Sequence, residues 1–370
     1  MKYAEFKENI KLSKLGLGAM RLPQTEPGLA KPVDEPKARE LIDYCMAHGV
    51  NYYDTAYIYH GGKSETILGR ALSGYPRDSY YVADKFNVQA NPDYQFQFQD
   101  QLARLGMEYI DFYLLHGITD LTAADYESCG CISYFQEQKK QGKIRHFGFS
   151  FHGTPDCLRR LLETYSWDFV QIQLNYYDWY QGTAKQQYEI LREHDVPVMV
   201  MEPVHGGMLA SLPEDCMELL PKGNSSPAAW ALRFVMDLPG IAVVLSGMSD
   251  MEQVKENIIT ADSGQSLTGA ELSQLARISE KLRKKIAVPC TGCRYCCDNC
   301  PQGLDIPRLL SLYNEHSFTG GGFIAPMALA GFPEDKRPDA CIGCRSCEAV
   351  CPQQIKISEA MADFAAKVKA

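Results

Sequence analysis

The sequence has no long apolar run. Its longest weakly polar stretch, from Phe323 to Phe332, is far shorter than the roughly 20 residues that a membrane-spanning helix requires. The segment MKYAEFKENIKLSKLG at the amino terminus contains no apolar core of the length found in signal peptides. We therefore expect no membrane association and a cytoplasmic location.

Basic charge is also scarce. The chain has a net charge of −9, and its densest basic patch is the short run Lys281–Lys285. Such a run is typical of the solvated end of a helix, where cations interact favourably with the macrodipole. Because recognition of nucleic acid requires a basic stripe or surface patch, nucleic acid is not an expected partner.

A complete G-x-G-x-x-G fingerprint is missing. The chain runs GLGAMR within the first predicted strand, Leu12–Leu22, and Arg21 stands where the fingerprint requires its last glycine. A doubly wound open sheet would usually carry the fingerprint at this point, so its absence argues against that fold. The length of 370 residues fits one large domain followed by a small one.

From residue 10 to about residue 262, short β-rich runs alternate with amphipathic helical segments. Several runs, such as FVQIQL and IAVVL, are apolar on both faces, which is typical of parallel strands covered by helices. Eight such units in about 250 residues predict an α/β fold, a TIM (β/α)8 barrel. The predicted strands are Leu12–Leu22, Asn51–Ala56, Tyr80–Phe86, Tyr109–His116, Lys143–His152, Phe169–Asn175, Pro197–Val204 and Ile241–Met248. The clearest predicted helices are Lys37–His48, Glu65–Leu72, Pro155–Tyr165 and Met251–Ala261.

Cysteine is abundant, and its placement is informative. Of 14 cysteines, eight form two copies of the pattern C-x2-C-x2-C-x3-C-P, at Cys290–Pro301 and Cys341–Pro352. Disulfides are rare in the cytosol, so we interpret the clustered thiols as metal ligands and the scattered ones as small buried residues. The scattered cysteines are Cys45, Cys129, Cys131, Cys157, Cys216 and Cys297.

Each cysteine motif has the spacing by which three thiolates hold three corners of a 4Fe–4S cluster, while the fourth cysteine ligates the other cluster. This assigns Cys290, Cys293, Cys296 and Cys351 to one cluster, and Cys341, Cys344, Cys347 and Cys300 to the second. Zinc is the alternative, but zinc is normally bound by two C-x2-C pairs. The segment resembles ferredoxin modules, and the predicted helix Ile306–His316 between the motifs makes it more similar to their α-helical type.

The domain boundary is expected where cysteine density rises. A last helix of the first domain is predicted at Thr268–Ile286, with TGAE at Thr268–Glu271 as its capping box. We therefore expect a barrel over residues 1–287 and a small, mainly α-helical, ferredoxin-like domain over residues 288–370. A second helix of the small domain is expected to start at Pro326–Gly331.

Four polar residues fall at the ends of consecutive predicted strands, where the active sites of barrels lie. They are Asp54, Tyr59 five residues further on, Lys85 and His116. Tyrosine titrates near pH 10, and a nearby ammonium group favours its ionised form. Asp54 can hold that ammonium, and His116 can orient and polarise a carbonyl oxygen. Together the four predict acid–base chemistry on a carbonyl or an alcohol.

With DTAYIY, the lysine strand YVADKF and YLLH in this order, residues 10–262 resemble the aldo-keto reductase family. The resemblance implies Tyr59 as the general acid, Lys85 and Asp54 as the pair that tunes it, and His116 as the group that orients the carbonyl. It also implies a nicotinamide cofactor that lies extended across the barrel mouth. The whole chain resembles the subgroup with a carboxy-terminal ferredoxin-like extension.

The same resemblance assigns residues to the cofactor. Ser150 and Gln171 match positions that bind the carboxamide, while Phe151 and Met201 stand where many members have Asn and a stacking Tyr. Glu256 and Asn257 match the adenine side, and Ser246 belongs to the preceding strand end of this cofactor site. Gly247 and Gln253 fall where many members bind the 2′-phosphate with Lys and Arg. NADH is therefore expected to be favoured over NADPH, and a flavin is the alternative cofactor.

A hydride carries two electrons, whereas each cluster transfers one, and this mismatch leaves three hypotheses. In the first, the barrel reduces a small carbonyl compound, or oxidises an alcohol, with nicotinamide, and the clusters serve structure or partner docking. In the second, a ferredoxin-like partner feeds electrons through the clusters to a flavin or to the substrate. In the third, the chain is an electron-transfer or binding subunit with an idle barrel, against which the intact set of four catalytic candidates argues.

Overall fold

The computed structural model describes residues 1–26, 32–120, 122–221, 225–285, 287–290, 296–297, 299–322, 324–351 and 353–369. The chain divides into two compact units, Met1–Ser279 and Glu280–Ala370. The domain limits 1–287 and 288–370 given above remain a prediction. No helix of the described residues is long and apolar enough to cross a membrane.

The first unit contains a closed barrel of parallel strands, which confirms the predicted TIM-barrel fold. Eight strands follow one another around the barrel in chain order, with the last beside the first. Each predicted strand has its counterpart, but the first is shorter than expected, because the run Leu12–Leu22 is split. The barrel strands are β3 (Leu15–Gly18), β4 (Tyr52–Asp54), β5 (Tyr81–Phe86), β6 (Ile110–Ile118), β7 (Ile144–Phe151), β8 (Phe169–Gln173), β9 (Val198–Met201) and β10 (Ile241–Ser246).

Helices follow the strands as expected for alternating units. The predicted helices are present within a few residues of their expected bounds. Those of the first unit are α1 (Glu35–Ala47), α2 (Ser64–Leu72), α3 (Tyr94–Leu105), α4 (Ala123–Ser128), α5 (Cys131–Lys140), α6 (Pro155–Thr164), α7 (Tyr176–Gln181), α8 (Ala184–Glu193), α9 (Glu214–Met217), α10 (Pro227–Met236), α11 (Met251–Ser263) and α12 (Gly269–Arg283), the last of which contains the division between the units.

A short hairpin closes the amino-terminal end of the barrel. Strands β1 (Tyr3–Glu5) and β2 (Lys11–Ser13) pair antiparallel. Phe6, between them, packs edge-on against Phe112 at the start of β6, with 5.3 Å between ring centroids. Leu12 lies in the same buried cluster as Phe112. Apolar side chains therefore fill the amino-terminal end of the barrel. The polar side chains described below lie at the opposite end, where the strands have their carboxyl ends.

Local sequence signals explain where several helices begin. The predicted capping box is confirmed: Thr268 N donates to Glu271 Oε2 at 2.7 Å, and Glu271 N donates to Thr268 Oγ1 at 3.3 Å. The side chain of Asp34 likewise accepts from Lys37 N before α1, where Pro36 occupies the first turn without breaking a helical hydrogen bond.

The second unit is helical, as expected for this part of the chain. Its described helices are α13 (Ile306–Phe318), α14 (Ile324–Ala330), α15 (Ser346–Ala349) and α16 (Ile357–Lys369). Leu309, Leu310 and Phe364 belong to one buried apolar cluster. Several of the motif cysteines belong to this cluster or pack against it.

Candidate active site

The four catalytic candidates lie together at the carboxyl end of the barrel. Asp54 ends β4, Lys85 lies near the end of β5 and His116 near the end of β6, while Tyr59 follows β4 by a short loop. Parallel pairing sets Asp54 opposite Ala83 and Lys85 opposite Leu114, so consecutive strands deliver their polar residues to one place. The four residues that were grouped from the sequence therefore lie together in the fold.

Lys85 is fully buried and forms an ion pair. Its Nζ lies 2.6 Å from Asp54 Oδ1 and donates to the carbonyl oxygen of Thr55 at 2.6 Å. Burial disfavours the ammonium, but Asp54, Tyr59 and Asp84 outweigh this effect and raise the pKa of Lys85. Burial raises the pKa of Asp54, and the neighbouring ammonium opposes that rise. Lys85 therefore stays positively charged beside Tyr59 at neutral pH.

The Tyr59 ring is close to both the lysine and the histidine. Lys85 Nζ is 5.0 Å from the centroid of the phenol ring, and the His116 ring is edge-on at 5.8 Å between centroids. Burial raises the pKa of Tyr59, and Lys85 opposes this without cancelling it. Burial therefore outweighs the lowering of the Tyr59 pKa that is expected from Lys85 alone. The phenol keeps its proton at neutral pH.

His116 is a neutral imidazole. Burial, followed by the charge of Lys85 and the proximity of His152, lowers its pKa well below the ordinary value. Its Nδ1 is buried and has no hydrogen-bond partner among the described residues. A neutral imidazole donates one hydrogen bond and accepts another. His116 can therefore orient a carbonyl oxygen without competing with Tyr59 as a strong acid.

Ser150 and Gln171 lie side by side on neighbouring strands. They are Cα partners in the register of β7 and β8, and both are buried. Ser150 Oγ accepts from Gly117 N at 2.7 Å, so its own hydrogen remains to be donated elsewhere. Gln171 Nε2 lies 3.4 Å from Met201 Sδ, and its Oε1 is buried without a hydrogen-bond partner in the described part of the chain. The pair offers one donor and one acceptor to a primary amide.

The residues expected on the adenine side surround the end of β10. Asn257 Nδ2 donates to Ser246 Oγ at 3.0 Å, and both side chains are buried, so this contact ties α11 to the strand end. Gln253 Oε1 accepts from Ser249 N at 2.9 Å. Glu256 is partly buried on the same helix, and Gly247 is exposed in the loop between strand and helix. Whether these residues bind a cofactor stays a prediction.

Residues that the sequence did not single out also lie at this end. Asp178 Oδ2 accepts from Asn175 Nδ2 at 2.6 Å and lies 3.1 Å from His205 Nδ1. Glu202, directly after β9, acts electrostatically on Tyr59 and raises its pKa. Both Glu202 and His205 have positive φ, of 53° and 45°. Such backbone strain is a signal of function that becomes visible only in the folded chain.

Four motif cysteines line one cavity in the second unit. They are Cys300, which belongs to the first motif, and Cys341, Cys344 and Cys347 of the second. Cys347 is close enough to Cys300 for an electrostatic interaction. Within the described residues, no three side chains converge as the ligands of a single metal ion would. The four thiols line one cavity, and cluster binding by them stays a prediction.

The other proposed ligand set is described only in part. Cys293 lies outside the described residues. Cys290 and Cys296 are close enough to interact electrostatically, and Cys296 is buried. Cys351 packs against the same apolar cluster as Cys290. Cys297, which the sequence analysis left out of both ligand sets, packs against this cluster as well.

Known proteins match both parts of the chain. The model of the aldo/keto reductase family matches residues 14–280, and that of the 4Fe-4S dicluster domain matches residues 289–357. An uncharacterized oxidoreductase of Bacillus subtilis, YqkF, is 26% identical over 302 residues, which are 72% of this chain and 92% of that protein. The NADH-specific methylglyoxal reductase of Escherichia coli is 22% identical over 328 residues, covering 75% and 97%.

A solved structure shows the same likeness. The aldo-keto reductase AKR11C1 from Bacillus halodurans, in its holo form, is 28% identical with a TM-score of 0.63, over 75% of this chain and 96% of that chain. The chain is an oxidoreductase that belongs to the aldo/keto reductase family, and it carries a 4Fe-4S dicluster domain after the barrel.

Proposed function

We propose that the barrel reduces the carbonyl group of a small molecule, or oxidises the corresponding alcohol, with a nicotinamide cofactor. When bound, the nicotinamide supplies or accepts the hydride. Tyr59 donates the proton to the carbonyl oxygen, while His116 orients that oxygen. Lys85, held by Asp54, stabilises the phenolate that the proton transfer leaves behind.

The observation that carries this proposal is the Gln171 side chain. A buried amide oxygen without a partner is costly, and such atoms are usually met by a ligand or by water. The Gln171 Oε1 acceptor and the Ser150 hydroxyl donor match the amide nitrogen and the amide oxygen of a carboxamide. Gly117 N, which bonds Ser150 Oγ, directly follows His116, so this pair lies next to the catalytic candidates.

The test is an anaerobic purification followed by cofactor extraction and titration with dinucleotides. Quenching of intrinsic fluorescence by NADH or NADPH, together with oxidation of the dinucleotide by a reactive dicarbonyl such as methylglyoxal, would support the proposal. An extracted flavin, with no binding of either dinucleotide, would contradict it and favour the partner-fed hypothesis.

For the second unit, we propose two 4Fe–4S clusters held by the two cysteine sets given above. The clusters supply one-electron transfer when bound, and the thiolates and the apolar core around them hold and shield them. We expect about eight irons and about eight acid-labile sulfides per chain, with a brown colour that bleaches when dithionite is added. Metal analysis of an anaerobic preparation decides this, because stoichiometric zinc with little iron would contradict it.

We also propose that NADH binds at least as well as NADPH. A 2′-phosphate is normally met by Arg or Lys, but Gly247 and Gln253 carry no charge. Gln253 Oε1 is already bonded to Ser249 N, and Asp250 and Glu256 add negative charge nearby. A loss of about 1–3 kcal/mol for the phosphate predicts about 10- to 100-fold tighter binding of NADH.

Fluorescence titration with both dinucleotides checks the preference. Gln253→Arg would add a charge of the kind found in many family members, and is expected to improve NADPH binding selectively. Clearly tighter NADPH binding to the unmodified chain would contradict the charge argument.

One observation favours exchange of single electrons with a protein partner as a second candidate function. Cys344 is exposed, and the neighbouring Ile342 side chain is 62% exposed. A cluster bound at this cavity would lie close to the surface, where a ferredoxin-like partner could reach it. Reduction of the clusters by a reduced ferredoxin, followed by substrate reduction without any dinucleotide, would establish this role.

A further inference from the structure

Arg21 connects three of the loops around the barrel mouth. It follows β3, and its Nη2 donates to the carbonyl oxygen of Gly206, after β9, at 2.7 Å. Its own carbonyl oxygen accepts from Ser249 Oγ, after β10, at 2.9 Å. Arg21 therefore contacts the loop after β9 through its side chain and the loop after β10 through its backbone carbonyl oxygen.

The stem of Arg21 lies directly against Gly247. A Cβ at residue 247 would lie 2.9 Å from Arg21 Cδ and 3.0 Å from both Cβ and Cγ, which is closer than side-chain carbons approach one another. Gly247 stands where many family members have a basic side chain. Because it has no side chain, Gly247 leaves room for the side chain of Arg21. The sequence signal for this was Arg21 itself, which takes the place of the last glycine in GLGAMR.

Arg21 contacts the loops after β9 and β10, which lie between the strand proposed to bind the carboxamide and the helix proposed to bind the adenine side. Gln171 lies on β8 next to the catalytic candidates, where the carboxamide is proposed to bind. Asn257 and Glu256 lie on α11, which follows the loop that contacts Arg21. The portion of a dinucleotide between its nicotinamide and its adenosine is a diphosphate with two negative charges. A planar guanidinium with five N–H donors is well suited to that group.

Most other charged groups of these loops are acidic. Glu202, Asp178, Asp250 and Glu256 are acidic, and His205 is already paired with Asp178. A diphosphate entering this region would meet several carboxylates and needs a compensating positive charge. We infer that Arg21 contacts the diphosphate of the bound dinucleotide and contributes equally to the affinity for NADH and NADPH, an inference that rests on the nicotinamide-dependent function proposed above.

The test uses the full chain with its clusters and the substitution Arg21→Met. Methionine retains a flexible stem against Gly247 but removes the charge. The dissociation constants of NADH and NADPH are expected to rise by the same factor, about 10- to 100-fold, because a charge-assisted hydrogen bond is lost from each. Their dependence on salt concentration should also become shallower, and Arg21→Lys should restore part of the affinity. Arg159→Met is the matched control, because Arg159 pairs with the exposed Glu193 on the outer helices.

The outcomes separate this inference from the proposed function. Weaker binding with an unchanged salt dependence would mean that Arg21 only holds the loops together, and would overturn the inference. A loss confined to NADPH would place Arg21 on the 2′-phosphate and would also overturn it. Unchanged binding in Arg21→Met overturns the inference alone, whereas a wild-type chain that binds neither dinucleotide overturns the proposed function as well.

Discussion

Replacing Tyr59 by phenylalanine is expected to reduce the turnover of carbonyl reduction about 100- to 10,000-fold, which is the contribution typical of a positioned general acid. The substitution removes the proton donor but keeps the ring that packs edge-on against His116. Dinucleotide affinity and cluster content should therefore stay close to those of the wild type. Steady-state rates with a reactive dicarbonyl, together with fluorescence titration, measure both quantities.

The pH dependence gives a second readout for Tyr59. Burial raises the pKa of Tyr59 above its ordinary value, so the phenol is protonated across the neutral range. His116 has its pKa well below the ordinary value and stays neutral there. The rate of carbonyl reduction should therefore remain level near neutrality and fall as the pH rises through the raised pKa of Tyr59. The phenylalanine variant should show no such fall.

Tyr57 offers a matched control two residues away. Its ring packs under the Arg104 guanidinium, with 4.3 Å from Cζ to the ring centroid. Tyr57→Phe removes the same hydroxyl group from the same segment, and should leave turnover nearly unchanged. Equal effects of the two substitutions, or full activity of the Tyr59 variant, would rule out the acid role and would favour the idle-barrel hypothesis.

The barrel could be predicted because its strands carry a signal that needs no tertiary information. Runs such as FVQIQL and IAVVL are apolar on both faces, and both became strands covered by helices. The break within Leu12–Leu22 carried no such signal. There the chain turns between β2 and β3, where Ser13 Oγ donates to the Leu15 carbonyl and Ser13 N donates to the Asn51 side chain. The contact with Asn51 depends on a distant part of the chain.

The grouping of Asp54, Lys85 and His116 was predictable for a similar reason. Parallel strands that follow each other around a barrel bring their carboxyl ends together, so a polar residue at each end must meet its neighbours. The balance of effects on the pKa of Tyr59 was not predictable. This balance depends on how deeply the phenol is buried and on the charge of Glu202. The sequence around Tyr59 indicates neither its burial nor the proximity of Glu202.

Arg21 shows a different limit of sequence reasoning. A motif search records the residue only as a missing glycine, and so as evidence against a fold. Its contacts with Gly206 and Gly247 come from loops that are more than 180 residues away in the chain, since Gly206 is separated from Arg21 by 185 positions. Only the closure of the barrel, with β10 beside β3, brings these loops together.

In the second unit, Cys300 is the last cysteine of the first motif. Cys300→Ser is nevertheless expected to damage the cluster that the second motif is proposed to hold. Cys300 lines one cavity with Cys341, Cys344 and Cys347. The serine hydroxyl is a poorer ligand than the thiolate, so iron should fall from about eight towards about four per chain. The cluster proposed for Cys290, Cys293, Cys296 and Cys351 should remain.

Comparison with two further variants makes this prediction specific. Cys344→Ser should lose the same electron paramagnetic resonance signal as Cys300→Ser, and the double variant should lose no more iron than either single one, because the two cysteines are proposed to bind one cluster. Cys297→Ser changes a neighbouring thiol outside both ligand sets and should retain about eight irons. If Cys300→Ser instead lost the signal that Cys290→Ser removes, each motif would hold its own cluster. That result would contradict the prediction that the fourth cysteine of each motif binds the cluster of the other motif. The cavity that Cys300 shares with Cys341, Cys344 and Cys347 supports the prediction.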